Sequence, residues 1–456
     1  MNRIKNSGDC CKSELDLFYT VPTNTSILSS SYTTVSSNPL MGHEENFQIN
    51  INGSEEYTDL SDIYLKLEVE IKKSSTEFDD ENFKIGPINN FAHSLFKKIE
   101  LSIGSGLNRK LVEVGSSHYG YKAYLLNLLN FGTDAKEGWM QSGLFIMDET
   151  GQFNNIAMES FKKENINNNN ATPELVEIKI PKVANKGFLE RRKNFIDGKG
   201  KIKLIIPLHC DMLHSDKFLI NNMGLFFEFE RNKDSFLLMG TDKDFKVSIK
   251  KADMLVRKCQ INDSVKLAHR KALEIGDIKY PIKQNKTYVS IIDNGTKEHT
   301  ITSLGTHIPN KIICGLVVDD AYNGKLDANP FEFESHDLQS ISLMVNDTTK
   351  TIKLNEHTND YSEGYHSLCE SLNNYGSASS ILNKSDYFKG NCFFCFNLSP
   401  DKGCPEQFNS IRTGSIQMIL NFKENLSKKL RLISIMEYDN QININKKMEV
   451  NFDYDL

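Results

Sequence analysis

Gly120-Tyr121-Lys122-Ala123-Tyr124-Leu125-Leu126-Asn127-Leu128-Leu129-Asn130-Phe131-Gly132 occurs twice in outline. The second version runs Gly364-Tyr365, nine residues, Tyr375-Gly376, starting 244 positions further on. Upstream, Pro87, His93 and Leu95 repeat as Pro330, His336 and Leu338 at a distance of 243. Downstream, Leu208, Asp211, Phe218 and Gly224 repeat as Leu398, Asp401, Phe408 and Gly414, each 190 apart. The three blocks keep their order and internal spacing in both halves, which marks a tandem duplication. The drop from 244 to 190 gives the first half 54 more residues between the second and third blocks. Asn165 to Asn170 lies in that stretch and reads as a surface insertion.

Outside the blocks the dominant period is two. Ile63, Leu65, Leu67, Val69 and Ile71 alternate with Tyr64, Lys66, Glu68 and Glu70. Phe47-Ile49-Ile51, Ile99-Leu101-Ile103, Ile341-Leu343-Val345 and Ile416-Met418-Leu420-Phe422 alternate likewise. Such runs predict strands with one buried face. Asn52-Gly53, Asp293-Asn294-Gly295 and Asn323-Gly324 supply turns. Helical signals are few: the best is Tyr121–Asn130 and a second is Tyr365–Asn373. The expected fold is therefore all-β: two tandem eight-stranded jelly-roll β-sandwiches with short helices in the loops. The boundary is expected near Gly240 to Asp244, because Phe245, Val247 and Ile249 open a new alternating strand. That divides the chain into an N-terminal arm at 1–45, a first jelly roll at 46–244 and a second at 245–456. Ser29 to Ser37 is Ser/Thr-rich, and no block there matches the second half, so it reads as part of the arm.

Composition narrows the function. The chain has 456 residues, with 54 Lys+Arg against 60 Asp+Glu and a net charge of −6. This balance argues against a nucleic-acid binder held by a broad basic face. No apolar run reaches the roughly 18 residues of a membrane helix. Met1 to Asn6 leads into no apolar core, so no secretory signal is expected. Nine cysteines, an odd count, point to reduced thiols. Cys392-Phe393-Phe394-Cys395 reads as a strand, on which residues three apart point to opposite faces.

No catalytic constellation emerges. The eleven histidines contain no His-x-His pair of the kind that jelly-roll metalloenzymes use. His209 and His214 are five apart in a turn-like segment, and His93 and His336 read as buried, hydrogen-bonded structural residues. Ile103-Gly104-Ser105-Gly106-Leu107 reads as a hairpin turn, not a phosphate loop. There is no Gly-x-Ser-x-Gly elbow. Glu55-Glu56, Asp79-Asp80 and Asp319-Asp320 read as loop-edge charges without the oxygen spacing of a calcium loop. Arg191-Arg192-Lys193 and the group Lys246, Lys250, Lys251 read as solvated surface. Catalytic, cofactor and metal residues are thus expected to be none. A non-viral β-sandwich that binds carbohydrate or acts on it as an enzyme is the main rival, although a single Trp leaves few aromatic sugar platforms.

Several stretches carry a resemblance. They include Leu17-Phe18-Tyr19-Thr20-Val21-Pro22-Thr23, Tyr57-Thr58-Asp59-Leu60-Ser61-Asp62, and Gly86-Pro87-Ile88-Asn89-Asn90-Phe91-Ala92-His93-Ser94-Leu95-Phe96. The second half adds Leu255-Val256-Arg257-Lys258, Ala268-His269-Arg270-Lys271-Ala272-Leu273, Lys279-Tyr280-Pro281-Ile282 and Asn329-Pro330-Phe331. In this series the sequence resembles the double jelly-roll major capsid proteins of the Polinton/Maverick and adintovirus type. Cys10-Cys11 and the Asn/Lys-rich loops depart from that pattern. The resemblance implies a structural protein without enzymatic activity. It implies a homotrimer forming a pseudo-hexagonal capsomer of an icosahedral virion, assembled inside a host cell. The implied partners are neighbouring capsomers, penton and minor capsid proteins, with no small-molecule substrate. A domesticated host copy of such a gene would read the same way.

Overall fold

The computed structural model describes residues 12–37, 46–73, 84–106, 108–114, 117–156, 160–166, 174–180, 184–302, 304–354, 361–372, 381–402 and 407–455. The first sandwich is built from β1 (Ile27–Ser36), β2 (Phe47–Ile51), β3 (Tyr57–Lys73) and β4 (Phe96–Ser105). It continues with β5 (Asn108–Glu113), β6 (Lys201–Pro207), β7 (Gly224–Arg231) and β8 (Phe245–Ile261). The second holds β9 (Ile278–Ile292), β10 (Glu298–Ile301), β11 (Lys311–Val318) and β12 (Leu338–Val345). It closes with β13 (Thr348–Lys353), β14 (Phe393–Asn397), β15 (Ile416–Phe422) and β16 (Leu430–Ile444). Four longer helices join them: α1 (Tyr119–Asn130), α2 (Lys186–Asp197), α3 (Asp263–Ile275) and α4 (Ser362–Ser371).

In the first sandwich the sheets run β1-β8-β3-β6 and β2-β7-β4-β5. In the second they run β9-β16-β11-β14 and β10-β15-β12-β13. Adding eight to every strand number of the first pair gives the second pair. Both are jelly rolls, in which the last strand inserts between the first and the third. The pairs are antiparallel, which lets one face of each sheet meet the core. On β3, Ile63, Leu65, Leu67, Val69 and Ile71 are all buried, as the alternation predicts. Each such side chain contributes roughly 1.5–3 kcal/mol on burial.

The repeated blocks occupy equivalent connections. Pro87–Leu95 and Pro330–Leu338 each join the third strand to the fourth; α1 and α4 each join the fifth to the sixth. Leu208–Gly224 and Leu398–Gly414 each join the sixth to the seventh. Tyr375 and Gly376 lie outside the described residues. The first half's extra residues sit between α1 and β6. They include α2 and an antiparallel pair, Ser160–Ile166 with Glu174–Ile180. Part of the Asn-rich stretch, 167–170, lies outside the described residues.

Three expectations change. First, Phe245–Ile261 does not open the second sandwich. As β8 it pairs with β3 from Phe245↔Lys73 to Cys259↔Tyr57 and so completes the first. Alternation shows that one face is buried, but not in which sheet. The change of sandwich falls instead at α3, so neither 46–244 nor 245–456 matches the pairing. Second, Ile27–Ser36 is not an arm. It is β1, paired with β8 from Ile27↔Ile261 to Ser36↔Asp253. Nearly all its side chains are exposed, so its Ser/Thr composition gave no core signal. Residues 12–26 remain arm-like, exposed throughout. Third, α2 and α3 are helices that the apolar spacing did not announce. α3 is capped by Asn262, whose side chain accepts from Ser264 N, and none of its residues is buried.

Candidate functional site

α1 lies between the sandwiches, and nearly every one of its side chains is buried. A helix covered all round belongs in an interior. Tyr124 stacks on Phe331 with ring centroids 4.2 Å apart and planes 9° apart. Tyr121 stacks on Tyr322 at 5.6 Å and meets Phe331 and Phe236 edge-on. Tyr322 and Phe331 belong to the second sandwich, so the first sandwich's helix is welded to the second sandwich's connections. Each aromatic pair adds roughly 0.5–1.5 kcal/mol beyond its area. The Arg431 guanidinium covers Tyr322 at 4.2 Å, and the Tyr322 hydroxyl meets His118 Nδ1 at 2.9 Å.

A charged strap runs beside the rings. Lys122 Nζ reaches Glu113 Oε1 at 2.6 Å and Asp211 Oδ1 at 2.9 Å. Asp211 also accepts from Asn285 N at 2.8 Å, and Asn285 lies on β9 of the other sandwich. Burial and the neighbouring Asp211 push the Glu113 carboxyl up to about 7, against the pull of Lys122. Burial alone would lower Lys122, but the two carboxylates outweigh it and hold the ammonium well above its ordinary value. One cation shared by two buried carboxylates explains both directions.

A second network ties the insertion to the same seam. Arg191 is fully buried. It donates to Pro87 O at 3.1 Å, Ile146 O at 2.6 Å and Asp148 Oδ1 at 2.6 Å. Asp148 Oδ2 accepts from Asn329 Nδ2 at 3.1 Å, again across the seam. The reading of Arg191 as solvated surface is therefore corrected. The signal was available: Phe188, Arg191 and Phe195 stand at i, i+3, i+7 on α2, which places the arginine on the apolar face. Lys250 and Lys251 pair with Glu70 and Asp253 at 2.9 and 2.7 Å.

The histidines divide. His93 is buried and its Nδ1 lies 3.1 Å from the Tyr119 hydroxyl. That hydroxyl also accepts from His209 N at 3.2 Å, so its proton points to a neutral His93 Nδ1. Burial brings the His93 pKa down to about 3. His93, His209 and His214 form a row with ring centroids 4.9 and 5.6 Å apart. His209 Nε2 meets Asn127 Oδ1 at 2.7 Å, which makes that nitrogen the donor. His336, the duplicate of His93, departs from expectation. Its backbone is left-handed with φ 48°, and its Nε2 is buried with no hydrogen-bond partner.

The remaining candidates are quiet. Cys392 and Cys395 are both buried, and burial pushes the Cys395 thiol up to about 11. Such a thiol is a poor nucleophile. Gly104 to Gly106 is a hairpin in which Ser105 pairs with Asn108. Asp319 pairs with Arg431, and Asp79-Asp80 lies outside the described residues. Among the described residues, no group of three or more His, Cys, Asp or Glu side chains is placed to hold a metal ion.

No family model matches the sequence. The chain is 27% identical over 351 residues to the uncharacterized protein F54H12.2 of Caenorhabditis elegans, covering 74% of each chain. Its structure resembles a chain of the Sputnik virophage with a TM-score of 0.63 at 12% identity, covering 98% of this chain and 93% of that one. It resembles the mavirus major capsid protein with a TM-score of 0.52 at 12% identity, covering 99% and 96%. This is the double jelly-roll fold. The Faustovirus major capsid protein shares it, with a TM-score of 0.53 at 9% identity over 93% of this chain and 92% of that one. At these identities the shared property is the double jelly roll itself, with its paired sandwiches in one chain.

Proposed function

We propose that this chain is a major capsid protein, a structural subunit of a virion shell, and that three copies close into a pseudo-hexagonal capsomer. The observation that carries the reading is the repeated strand order in two sandwiches fixed rigidly to one another. Two like units per chain give six like units in a threefold ring, and closed cyclic symmetry is the usual way to bury large subunit faces. Obligate interfaces of this kind bury more than roughly 2,000 Å². The stacked rings around α1 and the buried Lys122 and Arg191 networks serve that role by fixing the angle between the units. We assign β1–β8 and β9–β16 to the two units, with α3 as the connector between them. The insertion between α1 and β6, present in one unit only, is the candidate outer loop. The Polinton/Maverick and adintovirus type is the family this reading favours, with neighbouring capsomers, penton and minor proteins as partners and no catalysis.

Electron micrographs of the purified full chain test the proposal. Particles with hexagonal outline and threefold averages are expected. Particles of irregular outline without threefold symmetry would contradict it.

A further inference from the structure

The two units meet through parts that the duplication supplies twice, and the chain uses one set of them. The first unit's connection from β6 to β7 lies on β9, the first strand of the second unit. The Tyr280 hydroxyl accepts from Ile220 N at 3.2 Å and donates to Phe218 O at 3.1 Å. Lys217 Nζ donates to Lys279 O at 2.8 Å, and Asn285 N donates to Asp211 Oδ2 at 2.8 Å. Under this cover Tyr280 is 1% exposed.

The second unit carries the same connection, from β14 to β15, but with its contact side open. Asp401 repeats Asp211, and Phe408 repeats Phe218. Asp211 is buried and Asp401 exposed; Phe218 is half-buried and Phe408 is 52% exposed. Ile411, three residues further on, is 54% exposed. Its own unit holds this segment in place: Asn409 N donates to Asp439 Oδ2 at 2.9 Å, and the Arg412 guanidinium to Leu398 O at 2.8 Å. The matching receiver is open as well. β1 takes in the first sandwich the place that β9 takes in the second, at the sheet edge beside the last strand. On β1, Leu28 is 58% and Tyr32 56% exposed. A lone exposed ring is ordinary. Here both halves of a contact that the chain makes once are left open a second time, one on each unit.

We propose that the β14–β15 connection of one copy, through Phe408 and Ile411, covers β1 of the next copy at Leu28 and Tyr32, as the β6–β7 connection covers β9 within the chain. The proposal rests on the reading of the chain as a subunit of a threefold ring and names the contact that closes it. Both patches are exposed in the same chain, so they do not meet each other there; a second copy brings them together. They are different patches, so the contact is heterologous, and a rotation that repeats it three times closes the ring. Three contacts within chains then alternate with three like contacts between chains.

The test uses the full chain with p-benzoylphenylalanine in place of Phe408, which keeps an aromatic ring at that site. Light- and heavy-isotope copies are mixed, irradiated and digested, so that links between chains are told from links within one. Links from position 408 to residues 27–36 of another chain are expected. In an assembled sample, the absence of links, links confined to the same chain, or links to any other surface overturn the proposal. Two variants add a second readout: Phe408→Asp with Ile411→Asp, and Leu28→Lys with Tyr32→Lys. Each should raise the concentration at which the assembly dissociates at least about ten-fold. Either variant assembling as tightly as wild type overturns the proposal, and the crosslink decides where a variant fails to fold. A wild type that stays at one chain mass at every concentration removes the capsomer reading and this contact with it. Three-chain particles linked elsewhere remove the contact alone.

Discussion

Gly120 and Gly364 begin the repeated motif, yet the structure gives them different reasons. A Cβ on Gly364 would lie 2.5 Å from the Tyr387 hydroxyl, which is fixed by donating to Phe393 O at 2.7 Å. A Cβ on Gly120 meets nothing closer than 3.6 Å. Gly364→Ala should therefore cost about 1–3 kcal/mol in chemical denaturation. Gly120→Ala should be neutral or stabilise by about 0.4–1 kcal/mol, because alanine restricts the unfolded chain. Equal effects at the two sites would refute this distinction. Arg191→Ala strands the Asp148 carboxylate in the interior and should cost about 3–5 kcal/mol. His93 sets a pH dependence. Unfolded, it takes up a proton near pH 6.5; folded, it stays neutral down to about 3. The unfolded chain thus binds more protons between those values, so stability is complete above about pH 6.5 and falls as pH drops. At pH 5 His93 alone accounts for about 2 kcal/mol of loss. His93→Gln should flatten the denaturation profile between pH 6.5 and 5; an unchanged slope would remove His93 from the account. At this scale the sequence was a mixed guide. It marked His93 as a buried partner but could not show that Tyr119 and His209 close around it, because those contacts join distant segments. Arg191 was hidden by its two basic neighbours, although its helical phase was readable.

The elements show why alternation and pairing carry different information. β3 declared its buried face residue by residue, and α1 declared its apolar positions. Neither could declare a neighbour. β8 alternates well, but alternation alone points to the wrong sandwich, because its pairing with β1 over nine residue pairs rests on backbone hydrogen bonds and polar side-chain contacts that leave no apolar period. β1 itself shows almost no alternation, since as an edge strand it leaves nearly all its side chains exposed on both faces. α1 tests the seam directly. Tyr124→Ala removes the ring stacked on Phe331 and should cost about 3–5 kcal/mol. Its loss should also split unfolding into two calorimetric transitions, as the sandwiches separate before they melt. A single transition merely shifted to lower temperature would show that the rings add stability without coupling the two units.

For the whole molecule, the duplication was legible and the assembly was not. Three short blocks in constant order foretold two sandwiches of one topology, and the +8 relation between their sheets is the structural form of that repeat. Shape and partners arise from surfaces such as the bare strip at Leu15–Val21, which has no periodicity to read. The most direct test of the central claim is the mass of the purified full chain in solution, measured by light scattering across micromolar concentrations. A stable species of three chain masses is predicted; a species that stays at one chain mass throughout that range would contradict it.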